Sequence, residues 1–300
     1  MTQTTFVPPA PQRSPARGNR RVVARTNGRT HGPVTRLVSP SDIGELIKPF
    51  VFVDHFDMVP KQGSLFPMHP HSGIATVTVL LSGDLRYEDT TGAAGTLSGG
   101  SIEWMRAGSG VWHDASPSSG APFRGYQVWV ALPPELENGP AYSQYLPPAA
   151  VPAIGPARLV LGRHAGVRSP VDSPAGIDFL HVRLGSGQHW RYTPPAGQDV
   201  AWVHVDRGVL RVAGERLKNE LAVFDSNDGI LEFEAEGEVE FVLGSAVKHP
   251  HSLVLGYYSV HTSVEALRRG EAEIARIGSR LRHEGRLPPV SDANLARSVS

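Results

Sequence analysis

The residues best suited to chemistry are three histidines. His69 and His71 flank Pro70, and His113 follows 42 residues after His71. In an extended strand, residues i and i+2 share a face, so His69 and His71 present two imidazoles side by side. Pro70 fixes φ and confines the stretch to an edge or the start of a strand. The interval to His113 is long enough for two or three strands to bring the chain back. Three neutral imidazoles meeting inside a barrel suit Fe(II), Cu(II), Zn(II) or Ni(II). Buried without a metal, their nitrogens need other polar partners. A second such triplet, His249-Pro250-His251, reads as structural.

The elements that must position these residues are short strands. Residues 49–56 (PFVFVDHF), 75–89, 95–110 and 123–132 are β-branched and aromatic runs broken by Gly, Pro, Asp and Ser, the pattern of antiparallel all-β sandwiches and barrels. The same rhythm resumes from residue 177, so the chain reads as two copies of one β-fold. We expect a disordered tail over 1–20, a first barrel over 21–135, a Pro/Gly/Ala-rich linker over 136–176 and a second barrel-like unit over 177–300. That unit ends in a short helix, with Thr262 and Glu265 offering a capping box and Leu267, Ile274, Ile277 and Leu281 near one face.

Composition narrows the function. The 300 residues include no cysteine, which excludes disulfides, thiolate metal sites and thiol nucleophiles. Lys+Arg and Asp+Glu both total 29, so a phosphate-binding field over the whole surface is not expected and there is no strong nucleic-acid signal. The charge is uneven, with seven Arg and no acid in the first 36 residues. This reads as a solvated tail and early strand, or as a basic arm for an acidic partner or nucleic acid. The apolar run Ile74 to Leu81 spans eight residues, against the ~20 of a membrane-spanning helix. Residues 1–20 hold no apolar h-region, so we do not expect them to act as a secretory signal. The expected location is the cytoplasm, which the lack of cysteine suits.

The run His69-Pro70-His71-Ser72-Gly73 through Leu81-Ser82-Gly83, then Tyr87-Glu88-Asp89, then Glu103-Trp104-Met105-Arg106-Ala107-Gly108-Ser109-Gly110-Val111-Trp112-His113, resembles the pirin family. Residues 49–56 and 125–133 are similar to its flanking strands. The resemblance is dense over 49–133 and weaker near 241–265. It implies two cupin-type jelly-roll barrels, with a metal in the first alone. Fe(II) is the metal implied, with Zn, Cu or Ni as alternatives and no organic cofactor. It also implies either a dioxygenase acting on quercetin-like flavonols or other substrates with vicinal oxygens, or a regulator acting by protein contact. The partner is then a small aromatic substrate or a regulatory protein. Carried over by position, His69, His71 and His113 are the metal ligands. The family's fourth ligand, a Glu, falls on Ala115, and Ala75 stands at the usual cupin Glu place, so the metal would see neutral ligands only.

Other residues near the motifs have two readings. Glu103 is a carboxylate near the metal or, as favoured, a solvated strand residue. His55 supports the site by donating to a carbonyl, or is an ordinary strand residue. Trp104, Met105 and Trp112 pack the barrel, or line an aromatic-substrate pocket. His181, His189 and His204 read as ordinary strand residues.

Overall fold

A computed structural model describes residues 19–60 and 66–288. Two β units of jelly-roll type stand back to back. In the first, seven described strands run in the order Tyr142–Leu146, Ile102–Arg106, Ile74–Ser82, Phe123–Ala131, Phe50–Met58, Val34–Val38 and Arg29–His31. A smaller sheet of four, Phe66–His71, Val111–Pro117, Asp84–Asp89 and Ala94–Ser98, faces it. In the second unit, nine described strands form one sheet. It bends round its own apolar core through the long strands Val200–Val212 and Leu231–Ala246, which are broken by bulges.

Strand parity explains how the units join. Val53, Val77, Tyr126 and Val128 point out of the back of the seven-stranded sheet and form one core with Val160, Phe179, Trp202 and Val242 of the second unit. The same parity sends His55 to this junction, where Nε2 lies 2.9 Å from Asp206 Oδ1. Arg124 pairs with both Asp206 and Glu240. His181 Nε2 is 2.7 Å from Glu240, and His204 Nδ1 is 2.6 Å from the Tyr126 hydroxyl. These charges are buried but compensated, as burial requires.

Several boundaries differ from the expectation. Val22–Thr26 does not belong to the first unit; it pairs with Leu221–Phe224 at the edge of the second sheet. The stretch 136–176 is no free linker. Its segment Tyr142–Leu146 extends the first sheet, while Ala153–Ile154 and Ala157–Leu161 extend the second. Pro and Gly punctuate these strands so closely that composition hides them. Of the expected tail, residues 1–18 lie outside the described residues. Arg20 is 2 % exposed and donates to the carbonyls of Gln198, Asp199 and Gly229. Arg21, Arg25 and Arg36 also have acidic partners within the chain, while Arg13 and Arg17 of the expected arm lie outside the described residues.

The C-terminal helix, Val264–His283, lies on the first unit and not the second. Ser263, rather than Thr262, is the cap: its Oγ accepts from the Ala266 amide at 3.1 Å. Ile274, Ile277 and Leu281 are buried as expected, whereas Leu267 is only half-buried. Trp112 packs on Ile277 and Leu281 and donates its indole N–H to the Ile274 carbonyl. None of the described helices is long and apolar enough to cross a membrane.

Candidate metal centre

Strand Val111–Pro117 pairs with Phe66–His71 so that His113 stands opposite His69, with His71 two residues along on the same face. One ring nitrogen from each of His69, His71 and His113 lies within 4.8 Å of the other two. The ring centroids are 4.5–5.1 Å apart. Among the described residues this is the one such grouping of metal-ligating side chains.

The outer nitrogens fix the tautomers. His69 Nδ1 is 2.8 Å from the Pro67 carbonyl and His71 Nδ1 is 3.1 Å from the Tyr258 carbonyl. A carbonyl only accepts, so each Nδ1 carries the proton and each Nε2 keeps its lone pair. His69 Nε2 lies 3.1 Å from His113 Nε2. Two such nitrogens so close need a shared proton or cation between them. Burial, with the neighbouring His113, pushes His69 down to about 3, and burial holds His71 well below the usual histidine range. Both are therefore neutral near pH 7, the form that binds a divalent ion.

Behind His113 stands Glu103. It is 4 % exposed, and its Oε1 lies 3.6 Å from His113 Nδ1. This corrects the solvated reading: strand Tyr142–Leu146 covers the sheet edge on which Glu103 sits. Thr78 donates to Glu103 and lies 2.9 Å from Gln127 Oε1. The Tyr145 hydroxyl sits between Asp89, at 2.7 Å, and Glu103, at 3.5 Å.

The histidines open into a cavity of about 340 Å3 between the two sheets. Phe52, Phe56, Phe66, Trp129 and Tyr258 give it aromatic walls. Phe52 and Trp129 are stacked at 4.1 Å, and the Arg36 guanidinium lies 4.0 Å over Phe52 while paired with Asp54. Burial raises the Asp54 carboxyl and Arg36 opposes that rise. Ala115 also lines the cavity, where its methyl group leaves room beside the histidines.

The remaining expected residues lie elsewhere. His55 is on the opposite face of its strand from Asp54 and supports the junction, not the histidines. Trp104 is the neighbour of inward-facing Glu103, so it points into the core between the units. Met105 packs with Ala107 and Val111, and Trp112 is held by the helix. None of these three lines the cavity. Sequence reading missed Asp54, Gln127, Thr78 and Tyr145. It also missed Tyr258, which comes from the far end of the chain with no local motif around it.

The jelly roll is that of a cupin, and its smaller sheet gathers three histidines that could hold a metal ion. The Pirin family model matches residues 33–130. A Pseudomonas aeruginosa protein, provisionally named quercetin 2,3-dioxygenase, is 31 % identical over 243 residues, covering 75 % of this chain and 84 % of that protein. A pirin-like protein of Caulobacter vibrioides is 30 % identical over 70 % of this chain and 79 % of its own length. The chain belongs to the pirin family. A crystal structure titled quercetin 2,3-dioxygenase from Acinetobacter baumannii has the same fold, with a TM-score of 0.80 at 22 % identity, over 86 % of this chain and 98 % of that one.

Proposed function

We propose that the protein is a metal-dependent dioxygenase. Its substrate would be a flavonol-like or other aromatic molecule with vicinal oxygens. The observation that carries this reading is the convergence of three imidazoles, two with Nε2 lone pairs fixed inward, at the wall of an aromatic-lined cavity. His69, His71 and His113 would hold the ion. We take Fe(II) as the ion, a borderline metal suited to imidazole and open positions; Zn, Cu and Ni suit the same donors. When bound, it would supply Lewis acidity and oxygen activation. Such a centre suits the reducing cytoplasm, the compartment expected from the sequence. The quercetin 2,3-dioxygenase name borne by a relative supports the reaction class.

The chain's own residues do the rest. Phe52 and Trp129 offer a flat apolar wall for an aromatic ring. Two carboxylates line the cavity. Asp54 is committed to Arg36, so Glu103 is the better placed to accept a substrate hydroxyl proton. Thr78 and Tyr145 orient it.

Oxygen uptake by untagged protein, reconstituted with Fe(II) and offered quercetin and simple catechols, tests the reading. Turnover is expected and should vanish in both His69→Ala and His113→Ala. Ala115, where the family has a Glu ligand, favours one second reading: a non-catalytic regulator with a weakened site. Metal binding without oxygen uptake would support that reading and overturn the first.

A further inference from the structure

Beside the metal centre lies a second buried polar array. Ser72, Ser259, His261 and Glu137 are each at most 3 % exposed. The Ser72 hydroxyl is 3.0 Å from His261 Nε2, and His261 Nδ1 is 3.2 Å from Glu137 Oε2. The order Ser–His–carboxylate is that of a nucleophilic triad, but the serine proton is directed elsewhere. Ser259 donates to the Tyr257 carbonyl at 2.9 Å and Ser72 donates to Ser259 at 2.8 Å. The Ser72 proton is thus spent on Ser259. A fully buried serine whose proton is spent elsewhere is not a hydrolytic site.

What the array does hold is a hairpin. Strands Val254–Gly256 and Ser259–His261 are joined by Tyr257 and Tyr258. Ser259 bridges to Ser72, and the Val260 amide donates to the Ser72 carbonyl. Glu137 accepts from the amide and the hydroxyl of Thr262, at 2.7 and 2.6 Å. The hairpin tip is strained: Tyr258 has φ +53°, a left-handed conformation that a bulky residue rarely adopts. Such strain persists only where the surroundings enforce it, and it gathers at functional sites. Here it turns the Tyr258 carbonyl onto His71 Nδ1 at 3.1 Å and brings the Tyr258 ring within 6 Å of both His69 and His71.

We propose that this C-terminal hairpin is the positioning element of the three-histidine centre. The Tyr258 carbonyl holds His71 in its Nδ1–H tautomer, and the Glu137–His261–Ser72–Ser259 array locks that carbonyl in place. A ligand histidine held by a partner on its other nitrogen keeps its orientation and basicity, and losing such a partner costs about 10–100-fold in metal affinity. The proposal rests on the three-histidine reading above, and its test separates the two.

The first measurement is the 15N spectrum of histidine-labelled, metal-free full chain, which reports the His71 tautomer without any ion. Wild type should show Nδ1–H at His71. Ser72→Ala and Ser259→Ala, each made separately, should shift it towards the Nε2–H form that free imidazole prefers. Tyr258→Asn keeps the carbonyl and tolerates left-handed φ, so it should leave the tautomer unchanged. The second measurement is Co(II) titration by visible absorption, where each serine variant should bind about tenfold more weakly than wild type. An Nε2–H tautomer in wild type overturns the proposal. So does an unshifted tautomer in the serine variants, and loss of the tautomer in Tyr258→Asn does the same should those variants not fold. If wild type takes up no Co(II), the three-histidine reading fails and the tautomers alone decide the role of the hairpin.

Discussion

Glu103 Oε1 lies 3.6 Å from His113 Nδ1, buried behind the ring whose Nε2 faces His69. A carboxylate in that position favours a proton on Nδ1 and directs the Nε2 lone pair at the shared point. Glu103→Gln keeps the shape and removes the charge. We expect Co(II) affinity to fall about tenfold in Glu103→Gln and further in Glu103→Ala. Titration calorimetry checks this, and equal affinity in all three proteins would remove Glu103 from the centre.

Ala115 stands on the cavity wall two residues beyond His113. Ala115→Glu places an anion there, next to three neutral donors. Affinity for a divalent cation should rise by about an order of magnitude, since opposite charge stabilises the bound ion. Lower affinity would mean that a side chain at 115 does not reach the ion.

Acid should weaken the junction between the two units. Burial holds His181 and His204 below their ordinary value of 6.5. Below that pH, the unfolded chain binds protons that the folded chain refuses, so stability falls as pH falls. Above it, their contribution is complete. Each histidine adds a slope of up to about 1.4 kcal/mol per pH unit. Thermal midpoints measured from about pH 7.5 down to about pH 5.5 should decline, less steeply in His204→Gln. A midpoint that rises on acidification contradicts this.

The helix seats only because it carries glycine at its contact points. A Cβ at Gly270 would come within 2.4 Å of Ser72 Oγ and 2.6 Å of His261 Nε2. Gly270→Ala should therefore destabilise by about 1–3 kcal/mol despite the better helix propensity of alanine. Exposed Ala272→Gly, by contrast, should cost about 1 kcal/mol through propensity alone. Chemical denaturation of both variants distinguishes packing from propensity.

Much of the fold was legible because strand parity is simple. His69 and His71 share a face by their spacing, and β-branched runs between turn residues fixed the all-β class. The same rule, applied to residues 50–56, separates Asp54, facing the cavity, from His55, facing the junction. Glu103 was harder. A carboxylate on a strand looks solvated until the covering strand is known, and Tyr142–Leu146 sits in a proline-rich stretch. Tyr258 had no signal at all. Its role depends on a contact between His71 and the far end of the chain, and no local pattern encodes a backbone carbonyl.

The two units trade their ends. The first described strand, Val22–Thr26, pairs with Leu221–Phe224 in the distal sheet, while the last helix clasps the proximal one. During synthesis, then, residues 22–26 must wait until residues 221–224 have left the ribosome before they find their place. An excised front half would lose its clasp, and an excised back half an edge strand.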